Sequence, residues 1–171
     1  MHKTLATTSY QLSFRWVSMS ADIVLAALVS GPLAAPFLAS STLPLLPVIA
    51  NIIYGMGMYV CPQPDMGLVL APPFAMAVCM RCYGTVLGLL ATRLLYTSDQ
   101  GRGFYWLRQY GWRGIVLTGV LIMAYPAELA AQSFGVWGFN HLVMTLFGLV
   151  TGTALGLLII PMLHTQPTRS D

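Results

Sequence analysis

The sequence predicts an all-α integral membrane bundle of four transmembrane helices with one short interfacial helix. Three observations predict it. Hydrophobic residues make up 57% of the 171 residues and charged ones only 8%, a balance far from that of a soluble domain. Apolar runs recur at the length that a bilayer core about 30 Å thick demands of a helix, roughly 20 residues. The basic residues lie outside those runs or at their rims, with Arg81 as the exception. No repeat of solenoid length is evident, so 1–171 reads as one membrane domain.

The first crossing is expected over 17–38, behind a polar arm at 1–16. This run is longer than a signal peptide's apolar region of roughly 7 to 15 residues and lacks a small-x-small cleavage site, so it is expected to stay as an anchor. Pro32, Pro36, Pro44, Pro47 and the Ser40-Ser41-Thr42 triplet interrupt the apolar stretch between 32 and 47. After Pro47 only 48–60 remains, which at 1.5 Å per residue is about 20 Å of helix and short of a crossing. Ile49, Ile52, Ile53, Met56 and Val60 recur there at helical spacing, so 47–60 is expected to form an interfacial or half-inserted helix. The remaining crossings are expected over 74–96, 114–131 and 142–163, with a tail at 164–171.

Charge placement orients the bundle, because cytoplasmic loops collect Lys and Arg. With four crossings, the N-terminal arm, the loop 97–113 and the tail share one side and gather Lys3, Arg15, Arg93, Arg102, Arg108, Arg113 and Arg169. Five crossings would divide them. Both termini are therefore expected to be cytoplasmic, and the loops 61–73 and 132–140, which carry no Lys or Arg, to face outward. Tyr105, Trp106, Tyr110 and Trp112 stand beside Arg102, Arg108 and Arg113, a mixture suited to the headgroup layer. They read as an interfacial anchor rather than a nucleic-acid site. Gly84 and Gly88, and again Gly148, Gly152 and Gly156, recur every four residues, the spacing that lets membrane helices approach closely. They are assigned to contacts within the chain, with a homodimer as the lesser option.

Arg81 lies within an apolar block, between Cys79 and Cys82. A charge in hydrocarbon costs roughly 3 kcal/mol or more unless paired, so it calls for a partner. Glu128 lies at a similar depth from the outer end, and Gln132, four residues on, shares its helical face. An Arg81–Glu128–Gln132 network is expected, either as a site or as a purely architectural ion pair. At the inner rim Asp22 and Arg93 are placed to pair in the same way, while His2 and His164 fall on that inner side, away from the cysteines. Cys61, Gln63, Asn140 and His141 join the outer side. The cysteines admit three readings. Cys79 and Cys82 share a helical face and could grip one metal ion, with Cys61 as third ligand and His141 as fourth. Alternatively, a thiolate favoured by the helix start and by Arg81 suits thiol–disulfide exchange. The third reading is small buried hydrophobes or a structural disulfide, and His141 at a helix start also reads as a cap or interface residue. Walker-type loops, dinucleotide fingerprints, His-Glu-x-x-His and nucleophile elbows do not occur.

Cys61-Pro62-Gln63, Ala77-Val78-Cys79-Met80-Arg81-Cys82-Tyr83-Gly84, Glu128 with Gln132, Asn140, and Gly148 with Gly152 together resemble the family of small bacterial membrane proteins called domain of unknown function 2085. The resemblance runs from about Leu33 to Leu163. Two departures stand out: Pro62 occupies the place of the family's histidine, and Met66-Gly67 offers no arginine where the pattern has Arg-Ser. Glu128 stands where an aspartate is usual and keeps the carboxylate. The Pro62 form is similar to versions from photosynthetic bacteria, which implies a plasma or thylakoid membrane with the cysteines on the extracytoplasmic or lumenal side. The resemblance implies an architecture and no reaction. The expected function is an accessory or structural membrane protein, not an enzyme, whose outer-leaflet Cys/Arg/Glu cluster binds a ligand, a metal or a partner subunit of a membrane complex. The alternatives are a membrane thiol oxidoreductase using Cys79 and Cys82, exchanging electrons with a quinone, and a small transporter using Arg81 and Glu128.

Overall fold

The computed structural model of the chain describes residues 2–99, 102–103 and 106–164, with side chains from Trp16 onward. Tyr105, Arg169 and the tail beyond His164 lie outside the described residues, as do the side chains of His2, Lys3 and Arg15. The elements are α1 (His2–Ala39), α2 (Leu46–Val60), a 3-10 turn (Pro64–Met66), β1 (Val69–Ala71), β2 (Phe74–Ala75), α3 (Met80–Asp99), a second 3-10 turn (Leu107–Tyr110), α4 (Trp112–Ile122), α5 (Ala124–Ser133) and α6 (His141–His164). Three helical stretches are long and apolar enough to cross a membrane: Trp16–Ala39, Trp112–Ser133 and His141–His164. The fold is a helical membrane bundle, and the chain is an integral membrane protein.

α3 is as long as a crossing helix, about 30 Å at 1.5 Å per residue, yet less apolar, because its neighbours enclose it. Arg81, Tyr83, Gly84, Gly88 and Thr92 are all buried. Its tightest partner is α6. A methyl group on Gly84 would overlap the Thr145 carbonyl, one on Gly148 the Arg81 carbonyl, one on Gly152 the Thr85 carbonyl and one on Gly156 the Thr92 hydroxyl. Residue numbers in these contacts rise together along both helices, so α3 and α6 run parallel. Parallel neighbours need a return pass between them, and α4 with α5 supplies it. Both glycine rows are thus consumed inside the chain, where close approach maximises dispersion that lipid cannot supply.

α1 runs the other way. Arg93, late in α3, donates from Nε and Nη2 to the two carboxylate oxygens of Asp22, each at 2.7 Å, and from Nη1 to Thr97 at 2.8 Å. His164, at the end of α6, brings Nε2 within 3.2 Å of Asp22 Oδ1, and Tyr96 donates to the His164 carbonyl at 3.1 Å. The early part of α1 and the end of α6 therefore share one end of the bundle, and the cysteines that open α3 lie at the other.

Helix α1 begins at His2, so the arm 2–16 is helical, Pro32 and Pro36 lie within the helix, and the stretch apolar enough to cross runs from Trp16 to Ala39, close to the expected 17–38. Three expectations need correction. The helix expected from 74 begins at Met80, because Pro72-Pro73 joins β1 to β2 in a small antiparallel ribbon, with Val69 opposite Ala75 and Ala71 opposite Phe74. Tyr54 of α2 donates to the Ala75 carbonyl at 2.7 Å, and Gly57 admits the Ala77 carbonyl, so α2 is clamped to this ribbon. The single helix expected over 114–131 is divided at Met123. Pro126 has no N–H, and its ring crowds the carbonyl four residues back, that of Ile122, where α4 ends. Lastly, Trp106 is not an interfacial anchor: it is 1% exposed and sits edge-on to Tyr96 at 5.2 Å, whereas Tyr110 and Trp112 are exposed. The Leu107–Tyr110 turn pulls it inward, with Arg108 Nη1 donating to the Pro161 carbonyl in the last turn of α6 at 3.2 Å.

Candidate functional site

Arg81 and Glu128 are 0% and 1% exposed, the kind of burial that only a paired and fully hydrogen-bonded charge survives. The Arg81 guanidinium meets that demand on three sides. Nε donates to Glu128 Oε2, Nη1 to Gln63 Oε1 at 3.0 Å and Nη2 to Gln132 Oε1 at 2.6 Å. Its central carbon lies 5.8 Å from the Tyr125 ring centroid. Three separate elements converge here: the segment after α2, the first turn of α3, and α5. The break at Met123 gives α5 its own axis. Glu128 and Gln132 are one turn apart on it and point at the same cation. Sequence spacing pairs Arg81 with Glu128 and Gln132; Gln63 is the addition.

Beside this network the sulfurs of Cys61, Cys79 and Cys82 all lie within 4.8 Å of one another. Cys61 ends α2, Cys79 sits immediately before α3 with its carbonyl accepting the Tyr83 N–H at 3.0 Å, and Cys82 is in the first turn. The Cys79 backbone N–H donates to Cys61 Sγ at 3.3 Å, and the Cys82 thiol donates to the same sulfur at 3.5 Å. Cys82 Sγ also lies 3.2 Å from the Tyr125 hydroxyl. All three cysteines are free thiols, with Cys61 and Cys79 buried. Donation from the Cys79 thiol, then from Cys82, holds the Cys61 thiol well below the ordinary thiol range, against the opposing effect of burial. Three thiolates so arranged can hold a metal ion at the usual bond length of about 2.3 Å.

The other residues singled out from the sequence do different work. His141 lies outside the sulfur group: it opens α6, and its ring stands edge-on to Phe139 with centroids 4.5 Å apart. Asn140 caps α6, its Oδ1 accepting the N–H of Leu142 at 2.9 Å and of Val143 at 3.4 Å. Sequence reasoning missed two neighbours of the cluster. Tyr125 touches both Arg81 and Cys82, and its position three residues before Glu128 on one helical face was the signal that pointed to it. Met144 is fully buried against Cys61 and Cys79, and nothing in its local pattern separated it from other apolar residues of α6.

No curated protein and no solved structure matches the chain. A family model does, over residues 69–158, from β1 through most of α6. The matched stretch contains Cys79, Arg81, Cys82, Glu128, Gln132 and all the glycines of the α3–α6 contact, while Cys61 and Gln63 precede it. It covers more than half of the 171 residues, and on that ground the chain belongs to the DUF2085 family, described as a predicted membrane protein.

Proposed function

We propose that this protein is an accessory, non-catalytic membrane component that crosses the bilayer four times and holds a metal ion in the Cys61–Cys79–Cys82 site at its extracytoplasmic end. The observation that carries the reading is the convergence of three free sulfurs within 4.8 Å, from residues as far apart in sequence as 61 and 82. The fourth crossing is α3. Its length, its parallel contact with α6 and the return pass through α4 and α5 support that assignment, and the gathering of Arg93, Arg102, Arg108 and Arg113 at one end supports a cytoplasmic placement for both termini. The Arg81–Glu128–Gln132–Gln63 network acts as the frame of the site, fixing the end of α2, the start of α3 and α5 relative to one another.

The 3.5 Å approach of the Cys61 and Cys82 sulfurs favours a second reading, thiol–disulfide exchange. Elemental analysis and thiol counting on the full chain, purified in detergent under reducing conditions, separate the two. About one equivalent of metal, lost on Cys61→Ser, is expected. A metal-free protein whose three thiols all react freely with an alkylating agent would overturn the metal reading, and a Cys61–Cys82 disulfide that forms and is reduced reversibly would favour the second.

A further inference from the structure

The surroundings of the three sulfurs discriminate between metals. Structural zinc is held almost always by four protein ligands in a tetrahedron. Among the described residues, the group of potential ligands consists of Cys61, Cys79 and Cys82, with no histidine or carboxylate in it. Glu128, the carboxylate of the adjoining network, is bound to Arg81, and His141, edge-on to Phe139, lies outside the sulfur group. The neighbours that do pack on the cysteines are themselves rich in sulfur. Met144 is fully buried against Cys61 and Cys79, and Met66 and Met80 pack on the same cluster together with Val78. Buried methionines are ordinary core residues one at a time. One buried and two half-buried methionines packed on three thiols make a shell rich in soft sulfur, beside the Tyr125 hydroxyl at 3.2 Å from Cys82 Sγ, and thiolate with thioether is the donor combination that selects monovalent copper.

We infer that the Cys61–Cys79–Cys82 site takes a soft monovalent ion, Cu(I), in preference to Zn(II), bound by the three thiolates alone, with the Met144 thioether packed over it from the bundle side as a weaker contact outside those three bonds. The inference rests on the proposed metal role of these cysteines and specifies its ion. Three-coordination asks no fourth ligand of the protein. Burial of Cys61 and Cys79 keeps water from supplying one. The ion enters past Cys82, the most accessible of the three, and displaces protons from the thiols without any change of oxidation state.

The test uses the full chain in detergent, reduced and anaerobic. Cu(I) is delivered from a bicinchoninate complex, alone and against a tenfold excess of Zn(II), and X-ray absorption is recorded at the copper edge. Binding of one Cu(I) per chain is expected, undisturbed by zinc, with sulfur-only scattering at about 2.3 Å and simultaneous protection of all three thiols from alkylation. Loss of any one cysteine to serine is expected to weaken Cu(I) binding by at least about 100-fold. Because such variants can misfold, Met144→Leu provides a volume-conserving alternative. It is expected to weaken Cu(I) by about tenfold and to leave Zn(II) binding unchanged. Displacement of Cu(I) by zinc, nitrogen or oxygen in the copper shell, or a Met144→Leu variant with unaltered Cu(I) affinity would overturn the inference while leaving the metal site standing. Binding of neither ion would remove the site altogether.

Discussion

Replacing Gly88 by alanine puts the parallel α3–α6 contact to a direct test. A Cβ at that position would stand 2.5 Å from the Leu149 carbonyl oxygen, 2.6 Å from the Thr153 nitrogen and 2.8 Å from the Gly152 carbonyl carbon. All three are backbone atoms, so no side chain can swing aside. Ordinary contact for a Cβ begins at 3.4 Å, and moving from 2.5 Å to that distance parts the helices locally by about 0.9 Å. A gap of about 0.5 to 1 Å forfeits a quarter to a half of the dispersion energy of each contact it opens. Overpacking of this kind costs about 1 to 3 kcal/mol, and the better helix propensity of alanine offsets up to about 1 kcal/mol. The expected net loss is about 1 to 2 kcal/mol. Gly119→Ala is the control, since nothing lies within 4 Å of its added methyl, and it is expected to be neutral or stabilising by up to about 1 kcal/mol. The assay is reversible unfolding in mixed micelles, following helicity against a denaturing detergent. Equal stabilities for the two variants, or a Gly88→Ala protein as stable as the parent, would refute the proposed intimacy of the contact.

Removing one partner of the buried ion pair, as in Arg81→Met, is expected to destabilise the fold by about 3 to 5 kcal/mol, and Arg81→Glu with Glu128→Arg to regain part of the loss; the same unfolding assay reads both, and an Arg81→Met protein of unchanged stability would dismiss the pair. Asn140→Ala should cost about 1 kcal/mol through loss of the α6 cap, measurable as a lowered midpoint of that transition. The Cys61 thiol is depressed, so its thiolate is expected to persist as pH falls through and below the ordinary thiol value of about 8.5. Its ultraviolet absorbance should stay present there and vanish in Cys61→Ser. Membrane-impermeant labelling of single cysteines added near residue 10 and residue 168 should mark both from the cytoplasmic face; opposite faces would exclude four crossings.

The bundle and the Arg81 network were legible because both follow from the expense of charge in lipid. An arginine inside an apolar block needs an acid at its own depth, and Glu128 with Gln132 one turn on was the only such arrangement on that side. The glycine spacing was legible for a similar reason, since side-chain absence at every fourth residue has few uses besides contact. Elements shorter than a periodicity were not readable. Two strands of three and two residues leave no alternating signature, so 74–79 was absorbed into the neighbouring apolar run. Pro126 did announce the break at Met123, one turn ahead of it, but apolar continuity across 114–131 masked it. Trp106 carries the amphipathic ring of an interfacial residue, and tertiary structure, including its edge-on contact with Tyr96, draws it inside. His141 was given a place near the cysteines by sidedness alone, which fixes depth and leaves azimuth around the bundle undetermined.

The ion pair joins residues 47 positions apart in the chain. At ribosomal speeds of about 5 to 20 residues per second, Arg81 is synthesised roughly two to nine seconds before Glu128. During that interval its guanidinium has no Glu128 carboxylate to pair with, and an unpaired charge makes transfer of that segment into lipid costly. Order of synthesis thus sets order of assembly: α3, with Cys82 in its first turn and Cys79 immediately before it, has its buried cation neutralised only after the carboxylate of α5 has been made.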